Sequence, residues 1–118
     1  MWPTIINTSS IAIRREFIQK ILNNNFTNDF NLLEIDFIIN VYSRNIDNNF
    51  IITNGEYTIY RQLDDSIIGN IKKYSKKWWK KRQQAHQFMK TIYFNCGLKY
   101  KNGPDQLITN FINKIINF

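Results

Sequence analysis

The stretch Asp64-Asp65-Ser66-Ile67-Ile68-Gly69-Asn70-Ile71-Lys72-Lys73-Tyr74-Ser75-Lys76-Lys77-Trp78-Trp79-Lys80-Lys81-Arg82, continued through His86 and Met89 to Tyr93, decides how the chain is read. Wound as an α-helix of about 3.6 residues per turn, it places Ile67, Ile71, Tyr74, Trp78, Ala85, Met89 and Ile92 on one side, with Arg82 at the edge of that side. The lysine pairs Lys72/Lys73, Lys76/Lys77 and Lys80/Lys81 recur every four residues. They form two adjacent rows roughly 145° from the apolar row. The spacing therefore predicts one long helix with a core stripe and a cationic face, begun by the Asp64-Asp65-Ser66 cap and stopped before Gly97. Trp78 reads as core. Trp79 falls on the border between the two faces, where an indole either covers a core edge or stacks on a ligand.

The flanks of this helix set the fold class. Upstream, Phe50-Ile51-Ile52-Thr53-Asn54-Gly55-Glu56-Tyr57-Thr58-Ile59-Tyr60 carries Asn-Gly between two β-prone runs, the signature of a type I′ hairpin. Pairing outward from that turn places Phe50, Ile52, Tyr57 and Ile59 on a core face and Ile51, Thr53, Glu56 and Thr58 on the other. A lone hairpin is marginal, and residues 93–100 are the candidate third strand. Earlier still, repeats at helical spacing predict a helix over residues 10–23, ended by Asn23-Asn24-Asn25. The apolar run that follows the capping-box pair Asn31/Glu34 predicts a central second helix, with a strand as the alternative because of its β-branched content. Downstream, the turn at residues 101–105 leads to a last helix whose Leu107/Ile108, Phe111/Ile112 and Ile115/Ile116 form an apolar stripe. The expected fold class is α+β: a small, mostly helical single domain over residues 1–118, in the order helix, helix, β-hairpin, long basic helix, helix.

Charge gives the functional expectation. The chain has 118 residues and a formal net charge of +7, with a hydrophobic content of 43% that is ample for a core. Residues 1–65 hold five basic and eight acidic side chains, residues 66–104 hold ten basic and none acidic, and residues 105–118 hold one of each. A field of one sign concentrated in one segment favours polyanions: nucleic acid first, an anionic membrane surface less so. Lys72, Lys73, Lys76, Lys77, Lys80, Lys81 and Arg82 are the candidate phosphate ligands, Lys90, Lys99 and Lys101 extend the path, and Trp79 is the candidate stacking residue, with Phe88 and His86 as further ring candidates. Lysine is a point charge that reads base edges poorly, so Arg82 is the natural bidentate reader of the set. Aromatic side chains among the cations favour RNA slightly over DNA.

No catalytic constellation emerges. The chain has no phosphate-cradling glycine loop, no nucleophile elbow and no paired histidines, and Glu34 and Asp36 would point about 200° apart on a helix. Cys96 is the only cysteine and His86 the only histidine, so neither an internal disulfide nor a Cys/His metal site is expected. No cofactor is implied. The expectation is a non-enzymatic RNA- or DNA-binding protein, a structural component of a ribonucleoprotein or viral assembly. The alternatives are a protein–protein interaction subunit or inhibitor working through the hairpin and the last helix, and a peripheral binder of anionic membranes through Lys-Lys-Trp-Trp-Lys-Lys. With no signal-type apolar run, the setting reads as intracellular: host cytoplasm, organelle matrix or virion interior. The abundance of Ile, Asn, Lys, Phe and Tyr matches AT-rich codons, a mark of viral, organellar and similar genomes.

Overall fold

A computed structural model of the chain describes residues 10–24, 26–47, 51–52 and 71–116. In chain order the elements are α1 (Arg15–Asn23), the single turn α2 (Phe26–Asp29), α3 (Ile35–Tyr42) running into a π-turn (Ser43–Asp47), α4 (Lys76–Asn95) and α5 (Pro104–Ile116). No strand occurs among the described residues, so the α+β expectation is corrected to a helical architecture. Most of the predicted hairpin lies outside the described residues. Its two described members, Ile51 and Ile52, are non-helical and both solvent-exposed, so the expected core face at Ile52 is not formed. The third-strand candidate over residues 93–100 is instead the last turn of α4 followed by a connection. That turn closes at Gly97, whose φ of 68° is the left-handed C-terminal conformation that glycine adopts without strain.

The core forms where α1, α2, α3 and α4 converge on Phe88, which is fully buried. The Phe26 and Phe30 rings meet it edge-on at 5.2 Å between centroids, and the Phe37 ring lies at 6.2 Å. Tyr42 joins Phe26 at 5.9 Å and Phe17 at 5.5 Å, extending the cluster to α1. Such pairs add about 0.5–1.5 kcal/mol each beyond area burial. The second-helix expectation holds as a helix: Phe37 to Tyr42 are all buried. Its start is later than predicted, at Ile35, because Asn31 does not cap it. Asn31 Oδ1 instead accepts from Gln84 Nε2 at 3.2 Å, and Gln84 Oε1 accepts from Leu32 N at 2.9 Å, tying the turn before α3 to α4. The first helix likewise starts at Arg15 rather than residue 10, and at its far end Asn24 Nδ2 donates to Lys20 O at 2.7 Å.

α5 packs on α4 the opposite way round from its sequence pattern. Its buried residues are Gln106, Thr109 and Asn113, while Leu107, Ile108, Phe111 and Ile115 are exposed. The polar face is held by specific bonds. Asn113 Nδ2 donates to Trp79 O at 3.1 Å and to Thr109 O at 2.9 Å, and Thr109 Oγ1 donates to Asp105 O at 2.8 Å. Gln106 Oε1 and Asn113 Oδ1 are buried without partners.

Candidate nucleic-acid interface

The long basic helix is shorter than its lysine repeat. Ser75 is the N-cap of α4: its backbone is extended, with φ −68° and ψ 162°, and its Oγ accepts from Trp78 N at 3.2 Å. Before it, Tyr74 has φ 65°, the left-handed region that costs a non-glycine residue on the order of 1 kcal/mol. Residues 71–75 are therefore not helical. The expected cap at Asp64-Asp65-Ser66 lies outside the described residues. Lys72 and Lys73 accordingly do not continue the α4 rows, and sit on the turn whose Lys72 carbonyl accepts from Ser75 N at 3.1 Å. Serine followed by three residues of helical pattern is an N-cap signal, but the apolar spacing of Ile67, Ile71 and Tyr74 runs straight across it.

This break makes an aromatic corner. Tyr74, expected in the core, is 63% exposed and lies edge-on to Trp78 at 5.3 Å and tilted over Trp79 at 6.2 Å. The two indoles meet at right angles, 4.7 Å apart. Trp78, also expected in the core, is only half-buried. It walls a shallow cleft of about 250 Å³ lined by Leu33, Phe37, Lys81, Arg82 and Ala85. Around the corner stand Lys72, Lys73, Lys76, Lys77 and Lys80, all exposed, with Lys73 Nζ 5.0 Å from the centre of the Tyr74 ring. The first turn of α4 contains no acidic residue, so its lysines and the positive end of the helix dipole add rather than cancel.

The remaining candidates divide into open and engaged. Lys81 pairs with Glu34, and Arg82 pairs with Asp105 while its guanidinium lies 5.1 Å over the Trp78 ring. These two are turned inward, roughly a third of a turn or more from the row of Lys76, Lys80 and Lys90, where α4 meets α3 and α5. Arg82 is thus engaged as a link to α5 and is not presented as an open base reader. Among the described residues Lys72, Lys76, Lys77, Lys80, Lys90, Lys99 and Lys101 form no ion pair, and all seven are exposed. Lys90 shares the outer face of α4 with Lys76 and Lys80, about 15 Å beyond Lys80 along the axis. Lys99 and Lys101 flank Tyr100 on the connection to α5. Trp79 is half-buried, with its backbone carbonyl bonded to Asn113. Two ring candidates are corrected: Phe88 is the centre of the core, and His86 is buried.

His86 belongs to a polar cluster that spacing did not reveal, because its partners lie beyond the turn at Gly97. Its Nε2 is 2.9 Å from Asp105 Oδ2 and its Nδ1 is 3.2 Å from the Tyr100 hydroxyl, while Asp105 Oδ1 takes Arg82. Burial holds the His86 ring below its ordinary pKa of 6.5, against the opposing pull of Asp105. For Asp105, burial acts upward, but the hydrogen bond and charge of Arg82, followed by those of His86, outweigh it and hold the carboxyl low. Burial raises the Tyr100 hydroxyl, with Tyr93 and Asp105 adding to the effect. The consistent protonation state is an ionised Asp105 accepting from Nε2–H of a neutral His86, whose Nδ1 accepts from Tyr100. These bonds make the cluster a clasp that joins α4, the connection and α5. No group of three or more His, Cys, Asp or Glu suited to a metal occurs among the described residues, and no helix among them is long and apolar enough to cross a membrane. No protein-family model, curated protein or solved structure matches the chain.

Proposed function

We propose that the chain is a non-enzymatic nucleic-acid-binding protein, with RNA favoured over DNA, that works as a structural component of a ribonucleoprotein or viral assembly. The observation that carries this reading is the corner at the start of α4, where five exposed lysines surround the exposed Tyr74 ring and the half-buried Trp78 and Trp79. Phosphates meet unpaired ammonium groups and a helix N-terminus there, and an unstacked base meets aromatic faces. Lys90, with Lys99 and Lys101, prolongs the track.

Fluorescence anisotropy with single-stranded RNA and duplex DNA probes tests this reading. Affinity should fall as salt rises, with a log–log slope of about −0.7 per phosphate contact on single strands. Lys76→Glu with Lys80→Glu should weaken binding at least tenfold. Tyr74→Ala should weaken RNA binding by about 1–3 kcal/mol without changing the salt slope, because a stacked base releases no counterion. Absence of binding to either probe at low salt overturns the reading.

A further inference from the structure

Leu107, Ile108, Phe111 and Ile115 are 58%, 54%, 66% and 59% exposed, and they form one continuous face of α5 directly opposite Gln106, Thr109 and Asn113. A surface helix ordinarily turns its apolar stripe to the core and its amides to water. α5 does the reverse, and it leaves two buried amide oxygens without partners under its polar side. Four large side chains on one face amount to an apolar patch of several hundred Å², the top of the range a monomer shows. A continuous apolar face of that size suits a docking surface.

Charge and spacing identify its occupant. In a chain of net charge +7, α5 holds one acid and one base, Asp105 and Lys114, so it is a helix on which two copies can meet without repulsion. Leu107 and Ile115 lie four residues before and four residues after Phe111, so the ridge Leu107-Phe111-Ile115 reads almost alike in both directions. Ridges of i±4 spacing interdigitate in the commonest helix-pairing class, and a self-complementary ridge is what a two-fold interface requires. We propose that α5 pairs with α5 of a second copy of this chain, antiparallel, about a two-fold axis at Phe111. The two faces together bury about 1,000 Å² or less, the lower bound of specific interfaces, so the dimer is a reversible one.

The pairing does not depend on nucleic acid, but it bears on it. α5 packs on the α4 edge that carries Trp79, Arg82 and His86, a quarter turn from Lys76, Lys80 and Lys90. A two-fold axis perpendicular to both α5 helices leaves that quarter-turn direction unchanged, so the lysine rows of both copies face the same side.

Sedimentation equilibrium of the full chain over a range of concentrations, free of nucleic acid, tests the proposal. The expected result is a monomer–dimer equilibrium that Phe111→Asp weakens at least tenfold, with far-UV circular dichroism unchanged because the side chain is exposed. A second variant is independent of that loss. Phe111→Cys in a Cys96→Ser background should give a covalent dimer on mild oxidation, and Asn102→Cys in the same background should not. A monomer at every concentration, or a dimer indifferent to Phe111→Asp, overturns it.

Discussion

α3 and α5 are both short helices with ample Ile and Phe, yet they use those residues in opposite directions. α3 buries Phe37, Ile38, Ile39, Val41 and Tyr42 against Phe88 and its neighbours. α5 buries Gln106, Thr109 and Asn113 and turns Leu107, Ile108, Phe111 and Ile115 outward, with Ile112 and Ile116 half-buried at the margin. The difference lies in what each meets. α3 faces the aromatic cluster and buries a single amide among its apolar residues, Asn40, whose Nδ2 donates to Asp36 O at 2.7 Å within the same helix, whereas α5 faces an edge of α4 that carries Arg82, His86 and the Trp79 carbonyl. Asn113 Nδ2 reaches the Trp79 carbonyl and Asp105 takes both Arg82 and His86, contacts across the seam that apolar side chains cannot make.

The sharpest way to break this contrast is to truncate one aromatic residue from each region. Phe88→Ala should cost about 3–5 kcal/mol in urea unfolding, because it removes the ring on which Phe26, Phe30 and Phe37 pack. Phe111→Ala, measured on dilute protein where α5 is unpaired, should stay within about 0.5 kcal/mol. Equal losses would place the α5 stripe in a core.

Adjacent positions on α5 give the next test. Thr109 is fully buried and Ile108 is 54% exposed. Thr109→Lys places an unpaired cation at a fully buried position on the face of α5 that packs on α4 and should destabilise by about 3 kcal/mol, the scale of an uncompensated buried charge. Ile108→Lys in dilute protein should be nearly neutral. Sequence periodicity expects the reverse order, since it counts Ile108 as core and Thr109 as surface.

That reversal shows what was legible in the residues and what was not. Spacing in a chain reports that a helix is two-faced, and on that ground the helices at 15–23, 76–95 and 104–116 are anticipated in kind, whereas 35–42 reads as a helix from a run apolar nearly all round behind Asn31/Glu34, with a strand as its alternative. It does not report which face turns inward, because that depends on the neighbour. The early start given to the basic helix has a similar cause: lysine and isoleucine spacing persists through Tyr74 and Ser75, while the local cap that ends the helix is a single hydroxyl. Of the site, the open cations at Lys76, Lys77, Lys80 and Lys90 followed from charge alone. The engagement of Lys81 and Arg82 did not, because Glu34 and Asp105 are brought to them by tertiary packing. Tyr74 was missed as a surface ring for the same reason that Ser75 was missed as a cap.

The clasp beneath α5 predicts how this contrast responds to pH. His86 has its pKa depressed in the fold, so its neutral form is favoured there. Its contribution is complete above the ordinary histidine pKa and is lost as pH falls through the lower folded value. Asp105, also depressed, contributes above the ordinary carboxylate range and is lost only in stronger acid. Unfolding midpoints should therefore drop as pH is lowered from neutral, first through the histidine step. His86→Gln should abolish that first step and leave the second. The α3 region holds no such buried titrating cluster among the described residues, so Phe88→Ala should lower the curve without changing its shape.

The smallest effect expected on stability is informative for binding. Glu34 and Lys81 form a part-exposed ion pair at the border between α3 and α4, and such pairs contribute about 0–1 kcal/mol. Glu34→Gln should accordingly leave the unfolding midpoint almost unchanged, while it releases Lys81 and removes one negative charge beside the cleft walled by Trp78. If polyanion binding runs along this side of α4, the released ammonium joins the open set, and the salt slope steepens by about 0.7 on single-stranded RNA. If binding instead follows the outer row of Lys76, Lys80 and Lys90, the slope stays as it was and only the affinity rises slightly through the changed net charge. Measured against Lys80→Gln, which should reduce the slope in either case, the variant separates a track bordering the cleft from one confined to the outer face of the helix.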